Sequence, residues 1–136
     1  MVPITRLYAD ADGHARFEDI EIPVFPEDPP PDMMGVSEPW QAVAVLLGHG
    51  PAGGSHPEQP EHRRQLVIGI SGRVEVTATG ETRTFGPGDI LLVEDTDGFG
   101  HSSRTSDGFV AAFVVLDPLP RVGGHRPLLC LQFRGL

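Results

Sequence analysis

The chain has 136 residues, a formal net charge of −9 at pH 7 and one cysteine, Cys130. This length is typical of a single domain with its own core, and the acidic balance argues against a nucleic-acid partner, whose recognition needs clustered basic side chains. A single cysteine excludes an intramolecular disulfide, and no apolar segment has the length or position of a signal peptide or a membrane span, so we expect a cytoplasmic protein without a membrane partner.

The first 39 residues predict one edge strand and a long loop. A turn at 10–13 is followed by ARFEDIEIPV, in which apolar and polar residues alternate up to Pro23. The next segment, FPEDPPPDMMGVSEP, contains three consecutive prolines, which fix φ and remove hydrogen-bond donors. We expect an extended loop across one end of the domain, with a polyproline recognition motif as the alternative.

Residues 40–117 predict a series of short antiparallel strands. WQAVAVLL at 40–47 predicts a strand, and the run LVIGISGRVEVTATGETRTFGPGDILLVE places glycine turns between alternating β-branched and apolar residues. GFVAAFVVLD at 108–117 is apolar on both faces, as in a buried strand, and LLCLQF at 128–133 predicts a last strand. With eight or nine strands and no amphipathic helix, the expected class is all-β, a sandwich or a barrel.

Two stretches resemble the conserved motifs of the cupin superfamily. GETRTFGPGDILLVEDTDGFGH resembles the second motif, in which G-P-G-D closes a turn, and HRRQLVIGISGRVEV resembles the second half of the first. The resemblance covers roughly residues 40–117. It implies one cupin domain over 1–136, a double-stranded β-helix or jelly-roll barrel, with an N-terminal strand and proline-rich loop at 1–39 and a C-terminal strand within 118–136.

The resemblance also implies positions for a metal site. In the family, two histidines separated by one residue, a glutamate about four residues later and a histidine of the second motif hold a divalent metal. Counting back from Gly72 places the first three positions on Gln59, Glu61 and Gln65, and the last position falls on His101.

Two further histidines lie in the loop before the first strand of the motif. A divalent metal needs three or four converging ligands, and a loop with Pro57 and Pro60 can fold back to present imidazoles or leave them in water. We expect a site for iron, zinc, nickel or manganese, with His101 also the candidate catalytic residue. The expected ligands are His56, His62, Gln65 and His101.

Side chains alternate between the two faces of a strand, so the position of Gln65 bears on whether the protein is a dimer. Gln65 shares a face with Arg63 and Val67. The opposite face carries Leu66, Ile68 and Ile70. If Gln65 lies inside the barrel, the opposite face needs a cover, which a partner in a homodimer or the N-terminal strand provides. If the opposite face is the core instead, Gln65 lies on the surface. The resemblance favours Gln65 inside and a homodimer.

Three residues are candidates for contact with a small molecule. Arg63 can pair with an anionic group, and Trp40 and Phe99 can form aromatic walls, although an edge arginine and a core tryptophan are the structural alternatives. His14, His49 and His125 are expected on surface loops. The acidic run at 94–97 predicts a turn, or a carboxylate that acts with His101 as an acid–base partner.

The resemblance implies a small-molecule site inside the barrel, and with it two hypotheses. The first is a metal-dependent enzyme; the family includes isomerases, epimerases, cyclases, lyases and dioxygenases, so the reaction is not defined. The second is a non-catalytic, metal-poor cupin that acts as a ligand-binding or sensory module. Gln59, Glu61 and Gln65 at the ligand positions favour the second hypothesis.

Overall fold

The computed structural model describes residues 1–116 and the backbone of two short segments, 121–122 and 126–127. The strands are β1 (Val2–Ala9), β2 (Ala15–Ile22), β3 (Ala44–Gly50), β4 (Ser55–Gln59), β5 (Gln65–Gly72), β6 (Val74–Ala78), β7 (Glu81–Phe85), β8 (Ile90–Val93), β9 (His101–Arg104), β10 (Phe109–Val115), β11 (Arg121–Val122) and β12 (Arg126–Pro127). The described residues contain no helix, and therefore none that could span a membrane. The all-β prediction is confirmed.

Two sheets form the domain. The larger has six strands in the order β2-β1-β8-β5-β10-β3, and the smaller has four in the order β4-β9-β6-β7. Neighbouring strands are antiparallel except β1 and β8, which pair in parallel. β11 and β12 pair with each other. The predicted last strand at 128–133, with Cys130, and also His125 lie outside the described residues.

The N-terminal prediction was incomplete. The predicted edge strand is β2, but residues 2–9 form a further strand, β1, which pairs with β2 along its whole length and with β8. The two strands form a hairpin at the predicted turn, where Gly13 N donates to Asp10 O at 3.0 Å. The sequence of β1 does not alternate regularly between apolar and polar residues, so the strand was not predicted. β1 lies between β2 and β8, and its two faces pack in different apolar clusters, through Leu7 and Ile4.

The loop that carries His56 is also partly a strand. β4 pairs with β9, with an irregularity between His56 and Gln59. Pro57 is tolerated because β4 is the edge strand of its sheet and a missing N–H there breaks no ladder on the outer side. The strand predicted at 40–47 begins later, at Ala44, and extends to Gly50.

The six-stranded sheet has two different apolar faces. The inner face packs against the four-stranded sheet around Leu7, Val76, Leu91 and Val93. Gln65 lies on this inner side and is 1% exposed, as strand parity and the resemblance predicted.

The outer face of the same sheet is covered in part by the loop at 23–43. Trp40 of this loop packs with Leu66 against a second cluster of apolar residues. Farther along the face, Val45, Leu47 and Ile70 remain exposed. The predicted homodimer stays a prediction, and these exposed side chains are where a partner would pack.

Glu94 joins three strands at the end of β8. Its carboxylate accepts a hydrogen bond from Arg6 Nε at 2.6 Å and another from Arg64 Nε. Partial burial opposes ionisation, but the two guanidinium groups outweigh it and hold the pKa of Glu94 below its ordinary value of 4.5. The ion triad therefore connects β1, the start of β5 and the loop after β8.

Replacing Glu94 by glutamine should lower the free energy of unfolding at pH 7 by about 1–2 kcal/mol, because two charge-assisted hydrogen bonds are weakened. Since the pKa of Glu94 is depressed in the folded state, its contribution is complete above pH 4.5 and is lost as the pH falls through the folded-state pKa. The difference in the free energy of unfolding between wild type and Glu94→Gln, measured by urea unfolding, should therefore become smaller as the pH falls below 4.5.

Glu75→Gln is the matched control. Glu75 accepts one hydrogen bond from the exposed Arg104, and surface pairs of this kind contribute about 0.5 kcal/mol or less. Equal losses for both variants at pH 7 would contradict the role assigned to Glu94.

Candidate ligand-binding site

A cavity lies between the two sheets and has mostly apolar walls. The volume of the cavity is about 60 Å³. Its apolar side chains come from both sheets and are Val67, Val74, Val76, Phe85, Leu91, Val93, Phe109, Val110, Ala111 and Phe113. An apolar cavity with few polar groups is the usual form of a small-molecule site.

Polar side chains also line the cavity. Glu61, Gln65 and His101 do so near the end of β8, and Asp89 does so near its start. Gln65 pairs with Val93 in the ladder between β5 and β8, and two residues after Val93 the chain reaches Asp95, which contacts His101. The two sheets therefore bring these side chains together from distant parts of the sequence.

His101 lies between two carboxylates. Its Nδ1 donates a hydrogen bond to Asp95 Oδ2 at 2.5 Å, and its Nε2 is 3.5 Å from Glu61 Oε1. The side chain of His101 is 8% exposed and that of Asp95 is fully buried. The arrangement fixes the imidazole so that Nε2 faces Glu61 and the cavity.

The two carboxylates shift the protonation of the histidine. Burial lowers the pKa of His101, but the hydrogen bond to Asp95 and the charges of Asp95 and Glu61 outweigh it, so the pKa lies above its ordinary value of 6.5. Burial also raises the pKa of Glu61, an effect that the charge of His101 reduces without reversing. Both groups thus favour carrying a proton more than they would in water.

Backbone contacts hold the loop after β8 in place beside β4. Glu61 N donates to Asp95 O at 3.0 Å, which connects the two carboxylate-bearing residues. Gly100 has φ +76°, and a Cβ there would lie 1.9 Å from the carbonyl carbon of Gln59. Only glycine fits this position, and its close approach to β4 starts β9 at His101.

Comparison with solved structures identifies the fold of the chain. No protein-family model and no curated protein matches the sequence. Among solved structures, a DMSP lyase from Ruegeria pomeroyi superposes with a TM-score of 0.50 at 24% identity, over 65% of this chain and 43% of the lyase chain. The chain has the cupin fold.

Two structures described as cupins are also similar. A cupin 2 conserved barrel domain protein from Salinispora arenicola is 26% identical over 59% of this chain and 71% of its own, with a TM-score of 0.45. A cupin superfamily protein from Desulfitobacterium hafniense is 18% identical over 60% of this chain and 73% of its own, with a TM-score of 0.48. The resemblance predicted from the sequence is confirmed.

In this cupin barrel, two of the four predicted metal ligands reach the cavity. Gln65 and His101 line it. His56 lies on β4, where its Nε2 is 2.8 Å from Gln59 Nε2, and burial together with the charge of His101 lowers its pKa. The side chain of His62 is exposed.

The side chains present do not fit a cupin metal centre. Within residues 1–116, no three histidine, cysteine, aspartate or glutamate side chains are arranged to hold a metal ion. His101 contributes one imidazole whose Nδ1 is bonded to Asp95, and Gln65 contributes a neutral amide, a weaker donor than a carboxylate. The predicted ligand set stays a prediction that this arrangement does not support.

The three predicted substrate contacts lie away from the cavity. Arg63 is buried at the start of β5, where its Nη1 donates to His62 O. Trp40 packs on the outer face of the six-stranded sheet. Phe99 is 57% exposed, and its ring stacks on His14 at 5.2 Å. As substrate contacts they stay predictions.

Two residues gain importance from the structure. Asp95 belongs to the acidic run for which an acid–base role beside His101 was one alternative, and the structure places its carboxylate on the imidazole. Glu61 was recognised in the sequence as a family ligand position, but its place beside Nε2 of His101 could not be deduced from spacing alone. His49, expected on a loop, is exposed on β3.

Replacing Asp95 by asparagine should lower the pKa of His101, because burial remains while the hydrogen bond and the charge of Asp95 are lost. NMR titration of the imidazole measures this shift. Since the folded-state pKa is raised, the stabilisation is complete below pH 6.5 and is lost as the pH rises through the folded-state pKa. The destabilisation, about 3 kcal/mol at low pH, should therefore diminish at high pH.

Glu61→Gln is the control for this titration. Its carboxylate is 3.5 Å from Nε2, compared with 2.5 Å between Asp95 and Nδ1, so the pKa of His101 should fall less. An equal or larger fall would show that Glu61, not Asp95, governs the protonation of the histidine.

Metal content gives a second test of the site. After incubation with iron, zinc, nickel or manganese and dialysis, we expect untagged protein to retain well below one equivalent by elemental analysis, because no three histidine, cysteine, aspartate or glutamate side chains converge within residues 1–116. Near-stoichiometric metal that disappears in a His101→Ala variant would contradict this expectation. It would also restore the predicted set of His56, His62, Gln65 and His101.

Proposed function

We propose that this cupin-fold protein binds a small, mostly apolar molecule inside the barrel and that His101 exchanges a proton with it. One observation carries the proposal. A buried histidine with a carboxylate at each ring nitrogen lies in the wall of a mostly apolar cavity. Such an arrangement is typical of general acid–base sites, where a proton donor is held in place and shielded from water.

Each of the three side chains has a distinct role in this proposal. Asp95 accepts the proton of Nδ1, which fixes the tautomer and orients the ring. Nε2 exchanges a proton with the bound molecule: in its protonated form it donates to a basic atom of the ligand, and in its neutral form it takes a proton from an N–H, O–H or C–H group of the ligand. Glu61, 3.5 Å from Nε2, is the acceptor that the ligand's polar group replaces or bridges.

The apolar walls strengthen this chemistry. Phe85, Phe109 and Phe113 line the cavity and keep it poor in water once a ligand is bound. In such surroundings the hydrogen bonds of His101 are stronger than in water, and the proton passes to the ligand and not to solvent. Isomerisation and lyase reactions that begin with proton transfer are the chemistry that these groups support.

A non-catalytic binding module is the second candidate. Gln65 places an amide at the cavity where the family pattern has a carboxylate, and the side chains present do not assemble a metal centre. A His101→Gln variant separates the candidates once a ligand is known. Loss of turnover with retained binding supports catalysis, whereas a wild-type protein that binds the ligand without converting it supports a binding or sensory role.

Filling the cavity should abolish ligand binding. Ala111 lines the cavity on β10 and is 1% exposed, so Ala111→Val places two additional methyl groups inside it. In a fragment screen by ligand-observed NMR, we expect compounds that bind the wild-type protein to lose at least tenfold in affinity. Thermal unfolding verifies that the variant is folded.

Ala112→Val is the matched control, because the next residue of β10 points to the outer face of the same sheet. It should leave fragment affinities within about threefold of wild type. Fragments that bind both variants equally, or a wild-type protein that binds none, would overturn the proposal of a barrel site.

A further inference from the structure

The size of the cavity limits what can enter it. The 60 Å³ open to water centres is well below the roughly 150 Å³ of an engineered protein cavity that binds benzene. The cavity is still larger than the 10–15 Å³ or so that one water molecule needs. A chain of about four or five heavy atoms, narrower than an aromatic ring, is the ligand that fits.

The charged groups at the cavity are acidic. Glu61, Asp89 and His101 line it, and no arginine does so among the described residues; the sequence contains no lysine. The charge of a protonated His101 is already paired with Asp95 at 2.5 Å. Among the described ion pairs, Glu61 contacts Nε2 of His101 at 3.5 Å and has no guanidinium partner, so the cavity is a poor site for another anion.

Besides Nε2 of His101, three groups that line the cavity present hydrogen-bond acceptors. Gln65 Oε1 is buried and has no hydrogen-bond partner in the part of the chain that the structure describes. Glu61 contributes carboxylate oxygens, and Ser103, two residues along β9 from His101, contributes a hydroxyl oxygen. A buried acceptor without a donor is unfavourable by about 1–3 kcal/mol, so a ligand that donates to Gln65 gains this free energy on binding.

We propose that the site takes a short primary alkyl ammonium ion, with its apolar chain among the cavity walls and its three N–H donors directed to Glu61, Gln65 and Ser103. An alcohol has one donor and no charge, so it satisfies fewer acceptors. A carboxylate or phosphate has no donor in its ionised form and meets the charge of Glu61. Since an ammonium group has no lone pair, His101 acts towards this ligand in its neutral form, as the proton acceptor. The inference rests on the proposed function and names the ligand class of the same site.

Three probes with the same alkyl chain test the ligand class. Butylammonium, butan-1-ol and butyrate are titrated at neutral pH into the full-length protein, and the backbone and methyl NMR shifts of Ala111 report occupancy of the cavity. We expect butylammonium to bind at least tenfold more tightly than butyrate, with butan-1-ol between them. Butyrate that binds as tightly as butylammonium overturns the assignment.

Variants of Glu61 and Asp89 show which of the two lining carboxylates is responsible for the preference for butylammonium. Glu61→Gln should weaken butylammonium about tenfold while butan-1-ol changes less than threefold, which shows that the cavity is intact. Asp89→Asn is the control, because Asp89 is exposed and already accepts a hydrogen bond from Gly86 N at 2.8 Å. It should change butylammonium affinity less than threefold. An unchanged ratio of ammonium to alcohol affinity in Glu61→Gln also overturns the assignment.

Failure of this inference is distinguishable from failure of the proposed function. If butan-1-ol binds wild type and is lost in Ala111→Val, the barrel site stands, even where the ammonium ion shows no advantage. If none of the three probes binds, the ammonium assignment is wrong, and the fragment comparison between Ala111→Val and Ala112→Val decides the barrel site independently.

Discussion

The hydrogen bond between His101 and Asp95 is the interaction on which the site depends. Both side chains are almost fully removed from water, and desolvating an imidazolium and a carboxylate costs several kcal/mol for each ion. Their attraction compensates only because the atoms meet at 2.5 Å and because Glu61 lies near the other ring nitrogen. The geometry is set by the backbone: the loop after β8 bonds to Glu61, and Gly100 lets β9 begin against β4.

A buried ion pair of this kind generally stabilises a fold no more than apolar side chains of the same size would. A well-packed apolar replacement of a buried ion pair is often as stable as the pair or more so, whereas loss of one partner is strongly destabilising. Elsewhere the barrel interior is packed with apolar side chains. Leu91 and Val93, which lie just before the acidic loop, belong to such a cluster. The cluster of Glu61, Asp95 and His101 departs from this apolar packing, and we propose that it is kept for its effect on a ligand.

The sequence predicted most of the fold because its signals are local. The glycine turn at 86–89 is part of the motif whose resemblance predicted the barrel. The alternation along β5 allowed two positions for Gln65, and the resemblance favoured the interior one. The site was harder, since Asp95 and Glu61 meet through contacts between β4 and the loop after β8, which no periodicity encodes. The prolines around His56 suggested a loop that could fold inward, yet an edge strand accommodates Pro57 and keeps His56 beside Gln59.

The substitutions at the family's ligand positions have a common physical consequence. Where the family has two imidazoles and a carboxylate, this chain has Gln59, Glu61 and Gln65, so two neutral nitrogen donors are replaced by side chains that present oxygen acceptors. Imidazoles and a carboxylate together satisfy the several short bonds that a divalent cation requires, whereas one carboxylate and one amide match a single positive charge that brings its own N–H groups. In the site that we propose, the preference for positive charge is kept, while the contacts to the ligand change from coordination bonds to hydrogen bonds. His101, held by Asp95, is then available for proton transfer.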